Sequence, residues 1–80
     1  SEVIMVLDKI IDIISEQLEI DKAVIKGSST LVDDLGAGSL DMIDLAMSIE
    51  DEFSIELPDD DLDKIKTVDQ LVAFVEKNIK

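Results

Sequence analysis

In the segment Asp33 to Met42, DDLGAGSLDM, Ser39 stands between a glycine-broken stretch and an acid-studded apolar run. A serine hydroxyl in such a place serves as a nucleophile, a helix cap or an attachment point. A nucleophilic serine needs a neighbouring base to take its proton. The chain has no histidine, so a Ser-His-Asp triad is impossible. It has no cysteine either, which removes thiol catalysis, disulfides and zinc thiolate sites. Leu40 and Asp41 follow Ser39, so there is no G-x-S-x-G elbow, and Lys22, Lys26 and Lys64 lack S-x-x-K spacing from it. Ser39 therefore reads as an attachment point. Its structural role, taken alone, is a helix N-cap, because serine after glycine at a helix start is a common cap. The two roles are compatible at different times.

The carboxylates carry the other chemistry a sequence of this kind offers. Asp59-Asp60-Asp61-Leu62-Asp63 places acids at positions 1, 3 and 5 of a calcium loop. Lys64 then stands where that loop requires glycine, and Gln70 where it requires glutamate, so an EF-hand is rejected. Asp33, Asp34, Glu50, Asp51, Glu52 and Glu56 suit weak cation screening on a solvated face, and no specific metal site is expected. Carboxylate pairs can act as acid and base only when their environment shifts them. Nothing here implies the necessary desolvation.

Helices must position these groups. Eighty residues allow one small domain, 1–80, with a single core. The apolar fraction is 46%, and Phe53 and Phe74 are the only aromatic residues, so Ile, Leu, Val and Met must build that core. From Glu2 to Leu18 apolar residues fall at 3, 4, 6, 7, 10, 11, 13, 14 and 18, a helical rhythm. Residues 19–38 hold all three glycines and form a long connection, which Val24, Ile25, Leu31 and Leu35 are expected to pin to the core. A second helix is expected over 39–53. Pro58 stops it from continuing and suits the first position of a short helix near 59–63, whose acids favour the positive end of the dipole. Thr67-Val68-Asp69-Gln70 is a capping-box pattern that opens a last helix through Ile79, closed by Lys77 and Lys80. The fold class is all-α: three substantial helices, one short one and a long first loop.

The second helix has two apolar faces. At about 100° per residue, Leu45, Ala46, Ile49 and Phe53 form one stripe, while Leu40, Ile43 and Met47 form another on the opposite side. Asp44 and Asp51 flank the second stripe. A surface helix in a small monomer buries one face, so the first stripe is the core side. The second suits docking into an apolar groove with a basic rim, although a long helix in a small bundle also contacts neighbours on both sides. Met47 is adaptable enough to meet several partners.

Charge sharpens the same picture. The net charge is −13, and residues 31–63 carry twelve acids and no lysine or arginine. Such a field attracts basic protein surfaces and repels phosphates and anionic membranes, which excludes nucleic-acid binding. No apolar run approaches the ~18 residues of a membrane span, and no signal peptide is visible. The expectation is a cytoplasmic monomer that does not insert into membranes.

At this point the residues resemble a known family. DDLGA before Ser39-Leu40, acids and hydrophobics ending in Glu52-Phe53, then Ile55-Glu56-Leu57-Pro58-Asp59 and Lys64-Ile65-Lys66-Thr67-Val68 form a specific combination. Residues 31–80 closely resemble the acyl carrier proteins of type II fatty acid synthesis, and 2–18 with its loop does so more loosely. The resemblance implies a four-helix bundle with a short third helix. It implies that Ser39 carries 4′-phosphopantetheine, donated by coenzyme A through a phosphopantetheinyl transferase, and that the arm's thiol holds acyl thioesters. It implies a recognition helix in which Leu40, Asp41, Ile43, Asp44, Met47, Glu50 and Asp51 contact fatty acid synthesis enzymes through basic docking surfaces. It also implies an apolar cavity between helices that shelters the acyl chain.

One departure stands out. The family motif is usually Asp-Ser-Leu, and this chain reads Gly38-Ser39-Leu40. The change removes a charge and a transferase-directed or metal-directed contact, and glycine is expected to loosen the backbone beside the site. The reading is of a carrier and not an enzyme. A polyketide-type carrier, an aminoacyl or D-alanyl carrier, and an unmodified acidic interaction module are its alternatives. The acidic recognition helix favours the fatty-acid type.

Overall fold

Apolar residues recurring every third or fourth position place Val6, Ile10 and Ile14 on one line of the first helix, α1 (Glu2–Leu18), and all three are buried. The computed structural model describes residues 2–79, with side chains described from Ile4 onward. Val3 and Lys80, to which the sequence assigns an apolar position and a closing charge, therefore lie outside the described side chains. Ile4 is exposed, and Val6 is the first buried apolar residue of α1 among the described side chains. The helix ends where Glu19 adopts a left-handed φ of 56°. The Ile20 N–H then reaches back to the Ser15 carbonyl at 3.2 Å, which satisfies one of the last free carbonyls.

The three other helices are α2 (Ser39–Phe53), α3 (Asp59–Lys64) and α4 (Val68–Asn78). α1 packs on both α2 and α4. Lys9, midway along α1, meets Glu52, late in α2, at 3.1 Å. Leu45, Ala46 and Ile49 of α2 face inward, as do Val68, Leu71, Val72 and Val75 of α4. Phe53 is half-buried against the same core. α2 ends at Ser54, in the left-handed region at φ 56°, and the Glu50 carboxylate accepts the Leu57 N–H at 2.8 Å to hold the departing chain.

Two boundaries differ from the sequence expectation. Pro58 is the N-cap of α3 and not its first residue, since its ψ of 155° is extended while its carbonyl accepts the Leu62 N–H at 2.9 Å. α4 stops at Asn78, and Ile79 turns extended with ψ 150°. Its opening is as expected: Thr67 Oγ1 accepts the Gln70 N–H, and Gln70 Oε1 accepts the Thr67 N–H.

The connection from 19 to 38 is stitched to the α3–α4 junction by backbone bonds. The Leu31 N–H donates to the Lys66 carbonyl, Val68 to Ser29, and Asp69 to Gly27, all at 2.9–3.1 Å. Ile25, Leu31 and Leu35 are buried as expected. Val24 is not: it is 56% exposed, because the single 3-10 turn Lys22–Val24 aims it outward while Ile25 takes the inward place. Thr30 and Asp34 cap a turn reciprocally at 2.9 Å, and Gly36, at φ 76°, ends that turn so that the chain can enter α2.

Candidate attachment site and docking face

Ser39 is the first residue of α2, and it is exposed. The sequence allowed it to be the N-cap, but the cap is Gly38. The Gly38 carbonyl accepts the first helical bond from Met42 at 3.0 Å, and the Asp41 carboxylate accepts the Gly38 N–H at 2.9 Å. Capping therefore falls one residue upstream, on a backbone braced by Asp41. The Ser39 hydroxyl makes no hydrogen bond among the described residues, so its oxygen is available.

Gly38 does not need to be glycine. Its φ of −87° and ψ of −179° are open to any residue, and a Cβ there would meet only Asp41 Oδ2, at 3.6 Å. The loosening expected from the sequence is offset by the bond from its N–H to Asp41.

Beside Ser39 a cleft of about 780 Å³ opens between the start of α2, the preceding loop and α3. Met42, Ile43, Leu62 and Ile65 give it an apolar lining, while Asp33, Asp59 and Asp63 place carboxylates in it and Lys66 one cation. Met42, Leu62, Ile65 and Lys66 are not among the site residues expected from the sequence. Met42 falls about 200° around the helix from Leu40, inside the core stripe, and that was a usable signal. The other three come from a segment whose place in space depends on backbone pairing at Lys66.

The second apolar stripe of α2 lies on the surface. Leu40 is 77% exposed, Ile43 47% and Met47 57%, with Asp44 and Asp51 exposed beside them. Ile43 belongs both to this face and to the cleft. Asp41 and Glu50 are less free, since each carboxylate already accepts a backbone N–H. Among the described residues no group of three or more carboxylates could hold a metal ion.

A hydroxyl with no partner, at the first turn of a fifteen-residue helix and beside a half-apolar cleft, fits a phosphate-linked arm. Helix N-termini favour anions, and the cleft has room for an extended chain. A model of the phosphopantetheine attachment site family matches residues 8–75, which include this serine and both walls of the cleft. The chain belongs to that family, as one of its acyl carrier proteins. It is 46% identical to the acyl carrier protein of Bdellovibrio bacteriovorus over 72 residues, 90% of this chain and 92% of that one. It is 46% identical to the acyl carrier protein of Clostridium acetobutylicum over 71 residues, covering 89% and 92% of the two chains. With the Syntrophobacter fumaroxidans acyl carrier protein the identity is 46% over 70 residues, 88% and 86% of the two.

Proposed function

We propose that Ser39 is the residue that carries 4′-phosphopantetheine in this acyl carrier protein, and that the Leu40, Ile43 and Met47 face presents the loaded arm to enzymes of fatty acid synthesis. The observation that carries the reading is the exposed, unpartnered hydroxyl of Ser39 at the start of α2 and at the edge of the cleft. In the modification, the Ser39 oxygen bonds to the phosphorus of the arm as the pyrophosphate bond of coenzyme A breaks. The serine proton is lost to solvent or to the transferase's base, and the nucleotide leaves. Once attached, the group supplies the thiol that this cysteine-free chain lacks.

The chain's own residues have binding and presenting work. Met42, Ile43, Leu62 and Ile65 shelter apolar matter from water. Asp44 and Asp51 steer basic partners, while the small apolar stripe keeps each complex short-lived. The chain acts as a carrier in the cytoplasm, and catalysis belongs to its partners, a phosphopantetheinyl transferase among them. The concentration of acids around α2 supports the fatty-acid type over the polyketide and aminoacyl types.

Intact-mass measurement after incubation with coenzyme A and a phosphopantetheinyl transferase tests the assignment. One added arm on the parent chain and none on Ser39→Ala is the expected result. No gain in the parent, or a gain that survives the substitution, overturns it.

A further inference from the structure

We propose that Lys66 is the counter-ion of the arm's phosphodiester and holds the root of the arm in the cleft beside Ser39. The inference rests on the assignment of Ser39 above and adds where the arm lies once attached. Ser39 and Lys66 line the same cleft, and Lys66 is the one basic residue that does so. Asp33, Asp59 and Asp63 line it as well. Among the described residues the lysine ion pairs are Lys9 with Glu52 and Lys22 with Asp12. The Lys66 ammonium therefore has no ion-pair partner there, although carboxylates share its cleft.

The base of that side chain is fixed. The Lys66 carbonyl accepts the Leu31 N–H at 2.9 Å, and the Lys66 N–H donates to Gln70 Oε1 at 2.6 Å. Both backbone groups are thus committed where the long loop meets the start of α4, and the flexible four-carbon stem is left to move. A phosphodiester is anionic at neutral pH, and lysine meets phosphate as a compact point charge with rotatable donors. Attachment at Ser39 brings this anion to a wall whose carboxylates repel it. Lys66 alone among the cleft residues attracts it. An arm rooted on Lys66 starts along the apolar lining of Met42 and Ile65, and without that cation it is pushed towards solvent.

The test compares the loaded parent with Lys66→Gln, Lys66→Arg and Lys64→Gln, each brought to full loading and checked by intact mass. Lys64→Gln removes the same charge from a lysine that does not line the cleft. In Lys66→Gln the phosphorus resonance of the arm is expected to shift in NMR. Nuclear Overhauser contacts from the arm to the Met42 and Ile65 methyl groups should fall at least about twofold, the size of losing one exposed ion pair. Lys66→Arg restores both signals, since a guanidinium also binds phosphate, and Lys64→Gln leaves them in place. The Tm of the loaded chain relative to its own unloaded form drops about 1–5 °C further in Lys66→Gln than in the parent. At 1 M salt the loaded parent comes to resemble Lys66→Gln.

An unchanged phosphorus resonance and unchanged arm contacts in Lys66→Gln overturn the proposal, because the arm then takes its place without this lysine. Equal effects of Lys64→Gln and Lys66→Gln overturn it too, in favour of net charge acting at a distance. Absence of an arm on the parent's Ser39 overturns the assignment of the serine, and the counter-ion role with it. Intact mass of the parent tells that failure from the other two, in which the arm is present on Ser39.

Discussion

Gly36 sits at φ 76°, where a side chain crowds the following carbonyl, while Gly38, two residues on, sits at φ −87°, where any residue is at ease. A Cβ on Gly36 would have open space around it, so the cost there is purely of backbone conformation. Gly36→Ala should therefore lose about 1 kcal/mol, seen as a fall of roughly 4–8 °C in Tm for a domain of this size. Gly38→Asn should hold or slightly raise Tm, because asparagine is a better N-cap than glycine and meets only the end of Asp41. Thermal unfolding followed by circular dichroism compares the two, and equal losses would contradict this division of labour. At this scale Gly38 occupies backbone that any residue can hold, so what its missing side chain alters is contact and not conformation.

α2 carries two jobs on opposite faces, and the period of its sequence separates them. Leu45, Ala46 and Ile49 are buried, and Leu40, Ile43 and Met47 are exposed, as the 100° spacing predicts. That legibility has a physical root, since a helix turns its sequence into faces by a fixed rotation. The loop between α1 and α2 has no such rule. Its ties to Lys66, Val68 and Asp69 run from backbone N–H to backbone carbonyl, and these groups are common to nearly every residue, so no side chain announces them. For the same reason the cleft beside Ser39 was only half legible: α2 contributes Met42 and Ile43 by periodicity, but Leu62 and Ile65 arrive through that pairing. The outward turn of Val24 was hidden too, because a single 3-10 turn decides between it and Ile25. A test follows for the helix. Met47→Ala, at an exposed position, should cost no more than about 0.5 kcal/mol of stability, whereas Ile49→Ala in the core should cost about 2–5 kcal/mol. Met47→Ala and Asp44→Lys should each weaken turnover by a partner enzyme several-fold while melting within a few degrees of the parent. Loss of stability by Met47→Ala on the scale of Ile49→Ala would place that stripe in the core and end its assignment as a docking face.

The whole molecule measures about 30 × 28 × 19 Å, and its acids are not spread evenly over it. Residues 31–63 hold twelve carboxylates with no basic residue among them. Of the lysines outside that stretch, Lys9 pairs with Glu52 and Lys22 with Asp12. The Asp12 carboxylate holds the Lys22 ammonium above its ordinary pKa through their hydrogen bond, and Glu16 and Asp8 add smaller pulls in the same direction. Both pairs are largely exposed and do little to offset the field around α2. At physiological salt that field reaches about 8 Å from the surface, and at 1 M salt about 3 Å, so it acts on a partner before contact and is progressively screened as salt rises. The association rate with a basic phosphopantetheinyl transferase should therefore fall at least about tenfold between about 50 and 500 mM NaCl, while dissociation changes little, because the contacts made once docked are short-range and partly apolar. Asp44→Lys should flatten that dependence as well as lower the rate at low salt. Stopped-flow binding at several salt concentrations reads both quantities. A rate independent of salt would mean that the crowded acids around Ser39 do not guide encounter, and the apolar stripe would then have to account for recognition alone.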